Sequence, residues 1–265
     1  MTSPPALLIA ADGVRHDTGS AALLELVEHL GSRHPGIPVA AGLPGPGRWP
    51  LSEAVGELVA AGADRLAAVP LALVPDRWSE DALSTALDAV REEQPGLTVA
   101  VSRALGPDPV LLALLEQRLD EALGGGARSP RDRADVTVLL VAPGSADPQA
   151  NAEAHRAARL LWEGRGYAGV ETAFVSTAAP DVPAGLDRCV RLGARRIVVL
   201  PYALFDGGPV ERAVLHAEGW AEAHPDTDVR CAEVIGAADE LADLVVDRYR
   251  EAVASPVPAA AAGRP

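Results

Sequence analysis

The feature that most constrains this chain is that it repeats itself. The segment GADRLAAVPLAL, from Gly62 to Leu73, returns as GARRIVVLPYAL, from Gly193 to Leu204, with Pro70 and Pro201 in register 131 positions apart. The same spacing aligns Gly13 with Gly144, each just past the first apolar run of its half, LLIAADG and LLVAPG. Near the ends of the halves RALGPDPVLLALLEQRLDEAL pairs with EVIGAADELADLVVDRYREAV, and there Gly106 and Gly236 are 130 apart. Self-similarity at a fixed offset reports architecture that local propensity cannot, so both halves must fold to one plan.

In each half an opening strand leads to a helix (Ala21 to His34, or Ala150 to Glu163) and then to a second strand near Val39 or Val170. A further helix follows, Leu51 to Ala61 or Ala184 to Leu192, then the quoted third strand and another helix. A fourth strand, Leu97 to Val101 or Val229 to Val234, precedes a terminal helix. Strands alternating with helices at this spacing predict βαβ units and an α/β fold of two similar parallel-sheet halves. The expected organisation is an N-terminal half over 1–123, a Gly-rich charged linker over 124–135, a C-terminal half over 136–254 and a disordered tail over 255–265.

Composition excludes several partners. With 37 acidic and 23 basic residues the net charge is −14, and every basic residue is Arg. That balance opposes nucleic acid and anionic membrane surfaces, and any anionic ligand needs a local Arg cluster. No stretch approaches the roughly twenty apolar residues that span a bilayer, and the start carries no basic region ahead of its short apolar run. Cys189 and Cys231 form no CxxC pair, so neither a disulfide framework nor a thiolate metal site is predicted, and a cytoplasmic location is expected.

Open parallel sheets bind ligands beyond the carboxyl ends of their strands. After strand one stand Asp12, Arg15, His16 and Asp17; Asp12, His16 and Asp17 offer a proton acceptor or metal ligands, unless His16 is merely solvated beside a helix cap at Asp17 or Thr18. Two Arg-Trp pairs, Arg48-Trp49 and Arg77-Trp78, follow strands two and three and offer a flat wall with cationic edges, or simple packing. In the second half Ser145, beside Gly144, binds an anion at a helix start, unless Ser145 or Asp147 is a simple N-cap, and Arg212 follows the third strand. His155, His216 and His224 read as solvated helical positions.

The stretches ADGVRHD, GADRLAAVPLALVPDRW, ALGPDPVLLALLEQRLDEAL, NAEAHRAARLLWEGRGYAGVETAFVS and ARRIVVLPYALF together resemble the two-repeat sirohydrochlorin chelatases. That class II family inserts iron or cobalt into a precorrin-derived tetrapyrrole. The resemblance implies two flavodoxin-like halves facing across a cleft, no organic cofactor, and divalent Fe or Co as substrate. It also implies a His in an H-G-[ST]-R segment after strand one and another in a G-H segment after strand three. Here those positions hold Asp12 and Trp78, and their second-half matches hold Pro143 and Pro209.

The expected activity is therefore metal insertion into a carboxylated tetrapyrrole by a chelatase-family lyase of siroheme or cobalamin biosynthesis. Asp12 and His16 would be its catalytic and metal-binding pair, and Arg15, Arg48, Arg77, Trp78, Ser145 and Arg212 its substrate contacts. Two alternatives stand beside it: the scaffold redirected to other small-molecule chemistry, and a non-catalytic binder of tetrapyrrole or metal.

Overall fold

Continuous apolar runs in Ala6–Ala11 (β1) and Val136–Ala142 (β5) are buried at every position, as strands covered on both faces must be. They lie inside two parallel sheets. The computed structural model describes residues 4–11, 17–44, 49–125 and 129–255, and gives Asp17, Thr18 and Trp78 a backbone only. The first sheet has the order β2-β1-β3-β4 and the second β6-β5-β7-β8. Their other strands are Val39–Gly42 (β2), Arg65–Leu71 (β3), Thr98–Val101 (β4), Gly169–Phe174 (β6), Arg196–Pro201 (β7) and Asp228–Cys231 (β8).

The duplication holds residue by residue. Leu7 lies opposite Val39 and Ala10 opposite Pro70; 131 positions later Val138 lies opposite Val170 and Val141 opposite Pro201. The fourth strands break the count, since Arg65 faces Thr98 and Arg196 faces Asp228, which is 130 beyond Thr98. The buried face of Arg77–Glu93 (α3), with Leu83, Leu87 and Val90, matches Ala213, Ala217 and Trp220 on Gly208–Ala223 (α7) at the shorter spacing. One residue is thus lost between the end of β7 and the first buried turn of the next helix, at the edge of the site described below.

Helices Leu51–Ala60 (α2) and α3 cover the outer face of the first sheet, and Val182–Arg191 (α6) and α7 that of the second. Between the sheets lie Asp17–Arg33 (α1), Pro109–Ala122 (α4), Pro148–Trp162 (α5) and Asp239–Ala254 (α8), whose apolar faces join both sheets in one core. The terminal helices are exchanged: α8 packs on β3 and β4 of the first sheet, and α4 packs on β7 of the second.

Polar contacts follow the same exchange. Arg118 on α4 donates to the Ile235 carbonyl at 2.8 Å, and its repeat counterpart Arg248 on α8 donates to the Leu105 carbonyl at 3.1 Å. Each arginine also meets an acid one turn on, Glu121 at 2.7 Å and Glu251 at 3.1 Å. Arg248 alone has a further partner, Asp108 at 2.7 Å, because the matching position in the second half is Ala238. In the connecting segment the buried Arg133 pairs with Asp120 at 2.6 Å and with Glu116, and lies over the Tyr167 ring.

Two element ends differ from the sequence reading by three residues or more. β8 stops at Cys231 instead of reaching Val234, because after the Ala232 amide bonds Val199 the chain turns off the sheet and the Ile235 amide bonds Ala203. α1 begins at Asp17, four residues before Ala21.

Candidate active-site cleft

The carboxyl ends of β3, β5 and β7 open on one cavity of about 310 Å³ between the two halves. β3 and its exit contribute Leu71 to Val74, then Asp76 and Ser79; β7 and its exit contribute Tyr202 to Gly207. Ala142 to Ser145 close one side, with Asn151 of α5 and Phe174 of β6 behind them. The wall is mainly aliphatic and aromatic, and its described carboxylates are Asp76 and Asp206.

Local backbone demands shape this wall. Gly144 has φ +85°, and a Cβ there would lie 1.9 Å from the Ser176 carbonyl oxygen, so the chain leaving β5 passes directly over the chain leaving β6. That approach presents Ser145 to the cleft with its groups already committed. Its amide donates to Asn151 Oδ1 at 3.0 Å, its carbonyl accepts from Asn151 Nδ2 at 2.8 Å, and its hydroxyl accepts the Asp147 amide at 2.9 Å. Asp147 in turn caps α5 through the Gln149 amide. An anion would therefore have to displace Asn151 to reach the Ser145 amide.

Tyr202 crosses from the second half to the first, its hydroxyl 3.4 Å from the Leu73 carbonyl and close to Gly106, where any Cβ would strike Leu73. Burial pushes its hydroxyl well above the usual tyrosine range, so it stays a proton donor at neutral pH. Burial likewise lifts the Cys231 thiol to about 11, and both cysteines are free and protonated.

Of the residues nominated from sequence, Ser145 lines the cavity. Arg77 sits at the first position of α3 with 82% of its side chain exposed and faces Asp81 at 3.9 Å. Arg212 is exposed on α7, and neither arginine is among the lining residues. Trp78 is the second residue of α3, with its backbone alone placed, and Asp12, Arg15, His16 and Arg48 lie outside the described residues.

His155 sets its ring edge against Phe174 at 5.7 Å, His224 stacks on Trp220 at 3.8 Å, and His216 is exposed; none lines the cleft. Among the described residues no three His, Cys, Asp or Glu side chains are grouped to hold a metal ion. The lining residues that sequence reasoning passed over, Tyr202, Phe174 and Asn151, share one signal: each follows or ends a strand at the duplicated site, or lies one helical turn beyond it.

The model of the CbiX family matches residues 6–122 and 137–252, once for each half. The chain belongs to the CbiX family. Among CbiX relatives, a sirohydrochlorin cobaltochelatase of Priestia megaterium is 30% identical over 201 residues, 76% of this chain and 65% of that protein. A sirohydrochlorin ferrochelatase of the same organism is 31% identical over 147 residues, 55% of this chain and 53% of that protein. The chain thus spans about two thirds and about half the length of these two relatives. SirB from Bacillus subtilis with Fe³⁺ superposes with a TM-score of 0.77 at 19% identity, covering 95% of this chain and 96% of that one, so the CbiX fold is shared over nearly the full length. Among the described residues no helix is long and apolar enough to cross a membrane.

Proposed function

We propose that this chelatase-like CbiX protein receives a carboxylated tetrapyrrole in the cleft between its halves and inserts divalent iron or cobalt into it. The observation that carries this reading is the apolar cavity at the carboxyl ends of β3, β5 and β7, inside a family fold that repeats in both halves. Insertion exchanges one M²⁺ for the two protons of the pyrrole N–H groups, so it needs a group that presents the cation and bases that take protons.

Asp12 stands at the family's first histidine position and supplies a carboxylate for a hard or borderline cation; His16 supplies an imidazole nitrogen. Apolar walls at Leu73, Leu204 and Phe205 suit the flat faces of a macrocycle. Arg15, Arg48, Trp78 and Ser145 are the proposed contacts to its periphery, whereas Arg77 and Arg212 are exposed away from the cleft lining. No organic cofactor takes part in this reaction, and a cytoplasmic setting suits two protonated cysteines.

A second reading, binding without turnover, is favoured by Trp78, Pro143 and Pro209 at the remaining family histidine positions. Mixing purified protein with sirohydrochlorin and Fe²⁺ or Co²⁺ and following the absorption spectrum separates the two. The expected result is the metallated spectrum, with Asp12→Ala slowing insertion about 100-fold and His16→Ala about tenfold. A spectral shift without metallation selects the binder, and no interaction at all selects other chemistry on this scaffold.

A further inference from the structure

The first half holds a second chamber, of about 470 Å³, between α3 and the chain leaving β4. It shares Ala72, Asp76 and Ser79 with the cleft, so the segment leaving β3 is the common wall of the two spaces. Leu83 and Leu87 give it an apolar floor, and Arg91 and Arg103 bring positive charge to its lining.

These arginines break the symmetry of the duplication. At the spacing that matches Leu83 with Ala213 and Leu87 with Ala217, Arg91 corresponds to Ala221 and Arg103 to Glu233. Val90 corresponds to Trp220, whose bulk is buried beneath α7. Cationic side chains beside an apolar pocket are thus a property of one copy of a plan otherwise shared in strand order and register.

The present partners of the two arginines are replaceable. Arg91 meets Asp88 at 2.6 Å and Arg103 meets Glu251 at 3.1 Å, with 43% and 58% of the arginine side chains exposed. Exposed pairs of this kind contribute little net energy and exchange readily for a better-placed carboxylate. Asp76 and Glu80 also line the chamber and repel an anion, and in a chain of net charge −14 only a local pair of arginines offsets that field. Glu80 and Arg91 are eleven residues apart on α3, roughly 16 Å along its axis, so charge is graded along the helix.

We propose that this chamber receives the acidic rim of the ligand seated in the cleft, with Arg91 and Arg103 binding peripheral carboxylates while Leu83 and Leu87 pack against their methylene arms. The inference rests on the reading that the cleft takes a carboxylated tetrapyrrole. The cleft and the chamber meet at Ala72, Asp76 and Ser79, so a ligand whose rim passes over the segment leaving β3 reaches both.

Titrating the protein with metal-free porphyrins bearing eight, four or two carboxylates, followed by absorption, tests it. Arg91→Gln and Arg103→Gln are each expected to weaken the eight-carboxylate porphyrin about tenfold and to leave the two-carboxylate porphyrin unchanged. Asp88→Asn, which releases Arg91, is expected to tighten the eight-carboxylate porphyrin about threefold, a gain that misfolding cannot imitate. If wild-type protein binds all three porphyrins and the variants do not discriminate among them, the chamber is not the rim site and the cleft reading stands. If wild-type protein binds none, both fall.

Discussion

Arg248→Met is expected to destabilise the protein by about 3–5 kcal/mol, the usual cost of removing one member of a buried ion pair. Only 2% of the Arg248 side chain is exposed, and it is held by Asp108 at 2.7 Å and by the Leu105 carbonyl at 3.1 Å. Methionine fills the volume but leaves the Asp108 carboxylate, itself 15% exposed, with its cation gone. Its counterpart provides the internal comparison. Arg118 is 22% exposed and contacts a carbonyl and the half-exposed Glu121, so Arg118→Met should cost about 1–2 kcal/mol. Thermal melts should place Arg248→Met on the order of 10 °C below wild type. Equal losses for the two variants would show that the Asp108 pair adds nothing to the contacts that Arg118 also makes.

Gly144→Ala is expected to be nearly as damaging, by about 3–5 kcal/mol, through a different mechanism. The new Cβ would sit 1.9 Å from the Ser176 oxygen while the residue is held at φ +85°, so backbone must move at the mouth of the cleft. Gly193→Ala isolates the conformational part. Gly193 has φ +98° with nothing within 4 Å of a built Cβ, so only the left-handed backbone is penalised, about 1–2 kcal/mol. Urea unfolding of both variants checks the contrast, and comparable midpoints would show that the Ser176 approach relaxes at little cost.

The duplication made most of the fold legible. Pro70 and Pro201 set the offset, and the registers of the first three strands of each half reproduce it to the residue. What the repeat could not say is which sheet each terminal helix would cover, because α4 and α8 both carry apolar stripes and the repeat gives them equivalent places in the two halves. At the site, Ser145, singled out by its position after a strand, lines the cavity, but that position said nothing of its hydrogen bonds, since Asn151 lies six residues on. Arg77 shows the converse limit: sequence places it beyond β3, yet as the first residue of α3 it projects toward Asp81 and solvent. Proline at the start of α5 and α7 sets where those helices begin, a signal readable in advance at Pro148 and less so at Pro209, whose preceding glycines leave the entry open.

The crossed arginines and exchanged helices are contacts that run both ways between two like bodies, which is the form of an isologous interface in a dimer of identical chains. In such a dimer one codon governs both copies of every contact, and a change at one mouth is imposed on the other. Joined in a single polypeptide, the copies answer to separate codons. Asp108 can secure Arg248 while Ala238 leaves Arg118 without an equivalent acid, and Arg91 and Arg103 can charge one chamber while Ala221 and Glu233 occupy the matching places. Fusion thus lets a twofold scaffold keep its symmetric frame while its two mouths diverge in charge.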